Sequence, residues 1–216
     1  MKRYSVLKYF MKNILKESDI AILTGNEMCK EAYQYDRPGN LYIYDDFGLT
    51  ISLAFGVAMS TDKRVFVFVG EGDLLRDLSA AAQAAVGKCR NLFIILLNNG
   101  EYQSTGNQPN IFNSLASKQG FLLNFGFFIH NYTPHFKKKN IKEIKIFLAN
   151  SVGPLIVFVE VEPVVKKDLE EIKLPKAIIR ARFTEVVKNK ELKTALKDSA
   201  LPLPILVLKG DNGGIN

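Results

Sequence analysis

The chain of 216 residues contains 47% hydrophobic and 24% charged residues, a composition typical of a soluble globular domain. Its apolar runs, such as Leu92 to Leu97, are far too short to span a bilayer, so no membrane segment is expected. The net charge of +7 comes from dispersed lysines without a nucleic-acid-binding motif, so no nucleic-acid partner is expected either. Two cysteines without paired spacing, Cys29 and Cys89, favour a reduced, cytoplasmic protein.

The first part of the chain predicts alternating helices and strands. Apolar side chains between Val6 and Leu15 have the spacing of an amphipathic helix, which we expect to pack on the domain surface. The elements predicted next are a strand from Asp19 to Thr24, a helix from Glu27 to Tyr35, a short strand from Leu41 to Tyr44 and a helix from Asp46 to Ser60. The last of these contains many small residues, which suits tight packing.

The middle of the chain predicts a βαβ unit. The apolar strand Val65 to Val69 runs into Gly70-Glu71-Gly72-Asp73, and a helix from about Leu74 to Val86 follows. The strand Leu92 to Leu97 then ends at Asn98-Asn99-Gly100. Because the two strands of such a unit are parallel, their carboxyl ends meet at one edge of the sheet, where open α/β sheets bind ligands.

The remaining elements complete an α/β domain. They are a helix from Ile111 to Gly120, a helix from Ile141 to Asn150, a strand from Pro154 to Val161, an arm from Pro163 to Pro175 and a helix from Ala177 to Val187. The predicted fold is a three-layer sandwich with a mainly parallel sheet. Residues 1–188 form the domain, including its N-terminal amphipathic helix, and residues 189–216 form a C-terminal tail.

Chemistry is predicted at the glycine turn and the asparagine pair. Gly70 and Gly72 let the backbone approach a phosphate, and the N–H groups of the following helix would face the anion. A carboxylate can hold phosphate only through a cation, and a hard ion such as Mg2+ prefers oxygen ligands. We therefore predict a metal site formed by the Glu71 carboxylate, the Asn99 amide oxygen and the Glu101 carbonyl.

The segment from Gly70 to Asn99 resembles the diphosphate-binding motif of thiamine diphosphate enzymes, in which Gly-Asp-Gly is followed further along the chain by Asn-Asn. Glu71 stands in place of the Asp, as in the alpha subunits of branched-chain 2-oxoacid dehydrogenases. The run from Gly100 to Pro109 resembles the Asn-Gly-x-Tyr-x-Ser-Thr-Gly-Gly-Gln segment of phosphonopyruvate and sulfopyruvate decarboxylases. Only Asn107 departs from that segment.

The resemblance implies the diphosphate module of the thiamine diphosphate-binding fold, with thiamine diphosphate and Mg2+ as cofactors. The residues that would bind the organic cofactor are Thr24, Gly25, Asp45, Phe47, Gly70, Gly72, Asp73, Leu74, Asn99 and Tyr102. Phe47 would wedge beneath the cofactor and bend it, and the Asp45 carbonyl would accept the pyrimidine amine. Core packing stays open for Phe47, as does helix capping for Asp45 and Asp46.

In this family the Glu that activates the cofactor lies on a second module, for which the chain has no room. The resemblance therefore implies no catalytic residue in this chain and a separate pyrimidine-binding subunit in a hetero-oligomer. The implied activity is that of a lyase, which decarboxylates a small anionic 2-oxoacid such as sulfopyruvate or phosphonopyruvate to an aldehyde and CO2. Two alternatives stay open: a subunit of a carboligase or acyl-transferring complex, and a cofactor-free structural subunit.

Overall fold

A computed structural model describes residues 1–44, 48–87, 89–124 and 141–188. The strands are β1 Ile20–Thr24, β2 Asn40–Ile43, β3 Val65–Gly70, β4 Leu92–Asn98, β5 Glu101–Tyr102, β6 Gln108–Pro109 and β7 Leu155–Glu160. Five of them form one parallel sheet in the order β2-β1-β3-β4-β7, and β5 pairs with β6 in a small antiparallel hairpin. Continuous apolar runs suit such strands because both faces of a parallel sheet are buried.

The helices surround this sheet. They are α1 Arg3–Tyr9, which continues as a π-helical turn over Phe10–Ile14, α2 Asn26–Tyr33, α3 Thr50–Ser60, α4 Glu71–Arg76, α5 Leu78–Val86, α6 Lys118–Asn124, α7 Ile141–Asn150 and α8 Lys176–Lys188. Two 3-10 turns cover Gln103–Thr105 and Ile111–Ser114. No helix in the described ranges is long and apolar enough to cross a membrane.

The predicted three-layer α/β fold is confirmed. One face of the sheet packs against α1, α2 and α7, and the other packs against α3, α5 and α6. On the first face, the Phe10 ring meets the Phe68 ring edge-on with 5.4 Å between ring centroids. Alternate side chains of each strand therefore enter the two cores.

The strand order creates a crevice at one edge of the sheet. From β1 the chain moves outward to β2 and then returns to β3 on the other side of β1, so the direction of winding reverses between β1 and β3. Ligands of open α/β sheets bind at such a switch point, beyond the carboxyl ends of the strands. Thr24, Gly70 and Asn98 end their strands at this edge.

The predicted helix from Leu74 to Val86 is wrong in its start and in its continuity. Helix α4 begins at Glu71, and a break at Asp77 separates it from α5. The Asp77 carboxylate accepts hydrogen bonds from the backbone N–H and the hydroxyl of Ser52, at 2.8 and 2.6 Å. Asp77 thus satisfies an N–H group in the first turn of α3, a tertiary contact that outweighs the helix propensity of the alanine-rich run.

The helix predicted from Ile111 to Gly120 is also wrong, because this stretch forms a 3-10 turn and only later the helix α6. The side-chain oxygen of Asn110 accepts the N–H of Asn113 at 2.9 Å and so caps the 3-10 turn. A cap of this kind favours a short turn at this position.

Candidate functional site

The ends of β3 and β4 bring the glycine turn and the asparagine pair together. The parallel register pairs Gly70 with Leu97, so Glu71, the first residue of α4, lies level with Asn98 at the end of β4. The side chains of both residues are buried, with 3% and 4% of their surface exposed. A carboxylate and an amide are therefore enclosed at the carboxyl edge of the sheet.

The Glu71 carboxylate is the centre of a hydrogen-bond network. It accepts a short hydrogen bond from the side-chain amide of Asn110, which also lies 3.5 Å from the amide oxygen of Asn98. The backbone N–H groups of Glu71 itself and of Asn99 also lie near this carboxylate. Three chain segments thus converge on one buried acid.

The loop after β4 contains the other two predicted metal ligands. The amide oxygen of Asn99 accepts the N–H of Glu101 at 2.9 Å, and the carbonyl of Gly100 accepts the N–H of Asn110 at 3.0 Å. Asn99 and Glu101 therefore lie in one turn, which Asn110 connects to the Glu71 carboxylate. Among the residues described, no group of three or more His, Cys, Asp or Glu could hold a metal ion, so a cation here would depend on this mixed set of carboxylate, amide and carbonyl oxygens.

Burial changes the acidity of the site. Desolvation raises the pKa of Glu71 to about 7, although hydrogen bonds from Asn110 and from backbone N–H groups oppose the rise. Desolvation also raises the pKa of Asp73 to about 6, against the N–H groups of Gly70 and Gly48 and the charge of Arg76. A cation beside Glu71 would offset part of this desolvation.

The two positions of the turn, Gly70 and Gly72, favour glycine for different reasons. A Cβ on Gly72 would lie 3.2 and 3.3 Å from ring carbons of Tyr102, so the close packing of this ring favours glycine. A Cβ on Gly70 would meet only a carboxylate oxygen of Asp73, at 3.9 Å, and the φ angle of Gly70 is an ordinary −83°. The chain itself does not require glycine at position 70, and its absent side chain leaves open space at the start of α4.

That the N–H groups at this helix start face an anion stays a prediction. Helix α4 begins at Glu71, and a carboxylate oxygen of Asp73 lies beside its first turn, 3.9 Å from the position that a Cβ on Gly70 would take. Leu74 lies beyond the helix start, because α4 begins three residues earlier than predicted, and its side chain is completely buried in the core. Leu74 therefore offers no side-chain contact to a ligand.

The end of β1 supplies two more of the predicted cofactor-binding residues. Thr24 is fully buried, and within the described part of the chain its hydroxyl forms no hydrogen bond. Gly25 precedes α2, and its N–H donates to the carbonyl of Ile43 at 3.0 Å. The predicted roles of Asp45 and Phe47 concern positions outside the described residues.

The site also contains three asparagines that are not predicted from the sequence. Asn98, Asn110 and Asn113 are absent from the residues predicted to bind the cofactor or the metal ion. The amide of Asn98 donates to the side-chain oxygen of Asn113 at 3.3 Å. No local sequence signal identifies them, because Asn110 reaches Glu71 only through the hairpin of β5 and β6, which returns the chain to the strand end.

The structure explains the one departure in the segment after the asparagine pair. Asn107 has a φ of +62°, in the left-handed region where glycine is the usual residue. Asn is among the few other residues that adopt this conformation readily. The change from glycine to Asn107 therefore keeps the backbone course of the loop.

The chain matches a family model described as the thiamine pyrophosphate enzyme, C-terminal TPP binding domain, over residues 26–173. A sulfopyruvate decarboxylase from Methanosarcina acetivorans is 38% identical over 93 residues, which make up 43% of this chain and 24% of that protein. The sulfopyruvate decarboxylase subunit beta of Methanocaldococcus jannaschii is 24% identical over 188 residues, or 87% of this chain and 98% of that subunit. The match thus spans about a quarter of the first relative and nearly all of the second.

Solved structures share the fold. The X-ray structure of a candidate thiamin diphosphate-dependent enzyme from Mycobacterium smegmatis superposes with a TM-score of 0.56 at 16% identity. The superposition covers 75% of this chain and 31% of that chain. At this identity the likeness establishes the fold alone.

Proposed function

Because the chain belongs to the thiamine pyrophosphate enzyme family through the C-terminal TPP-binding domain, we propose that it is the diphosphate- and Mg2+-binding subunit of a two-subunit decarboxylase. The proposed substrate is a small anionic 2-oxoacid such as sulfopyruvate or phosphonopyruvate, and the products are an aldehyde and CO2. The near full-length match to a protein named as a sulfopyruvate decarboxylase subunit beta supports this proposal. The structural observation that carries it is the buried Glu71 carboxylate at the carboxyl end of β3, beside the turn formed by Asn99 and Glu101.

The residues present fit the two implied cofactors. The oxygen donors of Glu71, Asn99 and Glu101 are of the kind that Mg2+ prefers. The space left by the missing side chain of Gly70 suits a phosphate group, and the unpartnered hydroxyl of Thr24 offers a hydrogen bond at the same edge of the sheet. Thiamine diphosphate, when bound, supplies the electron sink for the carbon–carbon bond that breaks as CO2 leaves.

The contribution of this chain is binding and orientation. The ionised carboxylate of Glu71 would hold the cation. The hydrogen bond that Asn110 donates to this carboxylate fixes its orientation. Burial strengthens the attraction between the carboxylate and the cation, because the local dielectric constant is lower than that of water. The Tyr102 ring, packed over Gly72, would fix the loop that carries the Glu101 carbonyl.

The remaining catalytic groups are proposed to come from a partner subunit that binds the pyrimidine ring. The match to the Methanosarcina acetivorans protein covers only 24% of that protein, so the relative contains much sequence that has no counterpart in the match. A chain that holds only the diphosphate and metal would bind the cofactor weakly by itself. The active form is therefore a hetero-oligomer.

One observation favours a second candidate, a cofactor-free structural subunit. A carboxylate oxygen of Asp73 lies at the start of α4, 3.9 Å from the position that a Cβ on Gly70 would take. An acid in such a position competes with a bound anion for the same donors. A subunit of this second kind would bind no thiamine diphosphate at any Mg2+ concentration.

The proposed function is tested by reconstitution. The chain is purified alone and together with the subunit that co-purifies with it, and each sample is assayed with sulfopyruvate, phosphonopyruvate and pyruvate in the presence of thiamine diphosphate and Mg2+. The expected result is CO2 release only by the complex and with an anionic 2-oxoacid. Decarboxylation by the single chain, or condensation of two substrates without aldehyde release, would contradict the proposal.

A further inference from the structure

A buried ion pair joins the first two helices. The guanidinium of Arg3 in α1 donates to the carboxylate of Glu31 in α2 through Nε at 2.8 Å and through Nη2 at 3.2 Å. The two residues are only 8% and 2% exposed. A bidentate pair of this kind fixes the plane and direction of the guanidinium, and its burial protects it from competition by water.

The third nitrogen of the same guanidinium reaches a distant loop. Nη1 of Arg3 donates to the side-chain oxygen of Gln103 at 2.8 Å, across 100 positions of sequence. Gln103 begins the 3-10 turn that directly follows Glu101 and Tyr102. Arg3 therefore connects the helical layer to the loop that contains the proposed metal-binding carbonyl.

The loop beyond Gln103 has little support from the rest of the domain. Residues 104–108 are exposed, and the side chains of Thr105 and Gln108 hydrogen-bond within the loop itself. The loop contacts its surroundings near its start, through the Tyr102 ring over Gly72 and through Gln103. Gln103 thus holds the loop directly beside Glu101 and Tyr102, which belong to the proposed site.

We propose that Arg3 is a positioning residue, oriented by Glu31, that holds Gln103 and thereby sets the Glu101 carbonyl and the Tyr102 ring relative to Glu71. This inference rests on the proposed function for its effect on metal binding. The link between Arg3 and the loop is a property of the protein without ligand and can be tested separately.

The experiment changes the loop side of the link, because replacing Arg3 or Glu31 would leave a buried charge without its partner and could unfold the protein. Gln103→Ala removes the acceptor and Gln103→Glu keeps it. Gln34→Ala serves as a matched control, since Gln34 is exposed at the C-cap of α2 and hydrogen-bonds locally to the carbonyl of Lys30. Each full-length variant is studied by hydrogen–deuterium exchange without ligand and by Mg2+ titration in the presence of thiamine diphosphate.

We expect Gln103→Ala to melt at the same temperature as the parent but to exchange its backbone amide hydrogens faster over residues 101–107. It should also bind Mg2+ about tenfold more weakly, which is the effect of one lost hydrogen bond to a charged group. Gln103→Glu and Gln34→Ala should both behave as the parent. Unchanged exchange in Gln103→Ala would overturn the link, and faster exchange with unchanged Mg2+ affinity would overturn the positioning role. A parent that binds no cofactor, either alone or together with its co-purifying subunit, would overturn the proposed function, while the exchange measurement would still decide the link.

Discussion

Replacing Glu71 with Gln should stabilise the ligand-free protein and abolish metal binding. Burial raises the pKa of this carboxyl from its ordinary value of 4.5 to about 7, so the folded protein holds a proton that the unfolded chain has lost. Between these two values the folded state binds more protons than the unfolded state, and stability therefore falls as the pH rises through this window. Gln is neutral throughout and keeps an oxygen that can accept the Asn110 hydrogen bond.

The size of the effect follows from the two pKa values. The difference between 4.5 and about 7 corresponds to roughly 3 kcal/mol of unfolding free energy once the pH exceeds both values. The unfolding free energy of Glu71→Gln should therefore exceed that of the parent by up to about 3 kcal/mol at pH 8, and by about 1 kcal/mol or less at pH 5.

Urea denaturation without metal at pH 5 and pH 8 measures this difference. Glu170→Gln is a suitable control, because Glu170 is an exposed acid that meets Lys173 at 3.4 Å. Addition of thiamine diphosphate and Mg2+ at pH 8 should then stabilise the parent and not Glu71→Gln. A Gln variant that is less stable than the parent at pH 8, or that gains as much from the cofactors, would refute the reasoning.

Five further substitutions, at four positions, separate ligand contacts from fold contacts. Gly70→Ala should melt at the same temperature as the parent yet bind thiamine diphosphate more weakly. Gly100→Ala should lose about 1–3 kcal/mol of stability, because a Cβ there would lie 2.6 Å from the Asn113 amide nitrogen at a φ of +82°. Equal melting temperatures of the two variants would contradict this expectation. Asn107→Gly should be at least as stable as the parent and Asn107→Ala about 1 kcal/mol less stable by thermal unfolding, since φ is +62°; the reverse order would show that the loop conformation is wrong. Leu74→Ala should cost about 2–5 kcal/mol in chemical denaturation, and a small loss would place this side chain outside the core.

The sheet and the position of the site could be predicted because they depend on local patterns. Runs such as Val65 to Val69 are apolar at every position, and such runs indicate strands buried on both faces. A glycine turn after one parallel strand and an asparagine pair after the next then had to meet at one edge. These arguments use only the order of residues along the chain.

The missed features depend on partners that are distant in sequence. The break at Asp77 arises from its hydrogen bonds to Ser52, and no property of the residues around Asp77 indicates that contact. Asn110 is 39 positions from Glu71 in sequence and reaches it only because the hairpin of β5 and β6 turns the chain back. Short polar side chains such as Asn and Asp are also common in turns and helix caps. Residue type alone therefore does not distinguish a site residue from a structural one.

Calorimetric titration of the purified chain with thiamine diphosphate, with and without Mg2+, tests the central claim most directly. The account predicts saturable binding that requires Mg2+ and is lost in Glu71→Gln, even though that variant is folded. Absence of binding by the parent at high Mg2+ concentration, both alone and together with its co-purifying subunit, would contradict the account, as would equal binding by the parent and Glu71→Gln.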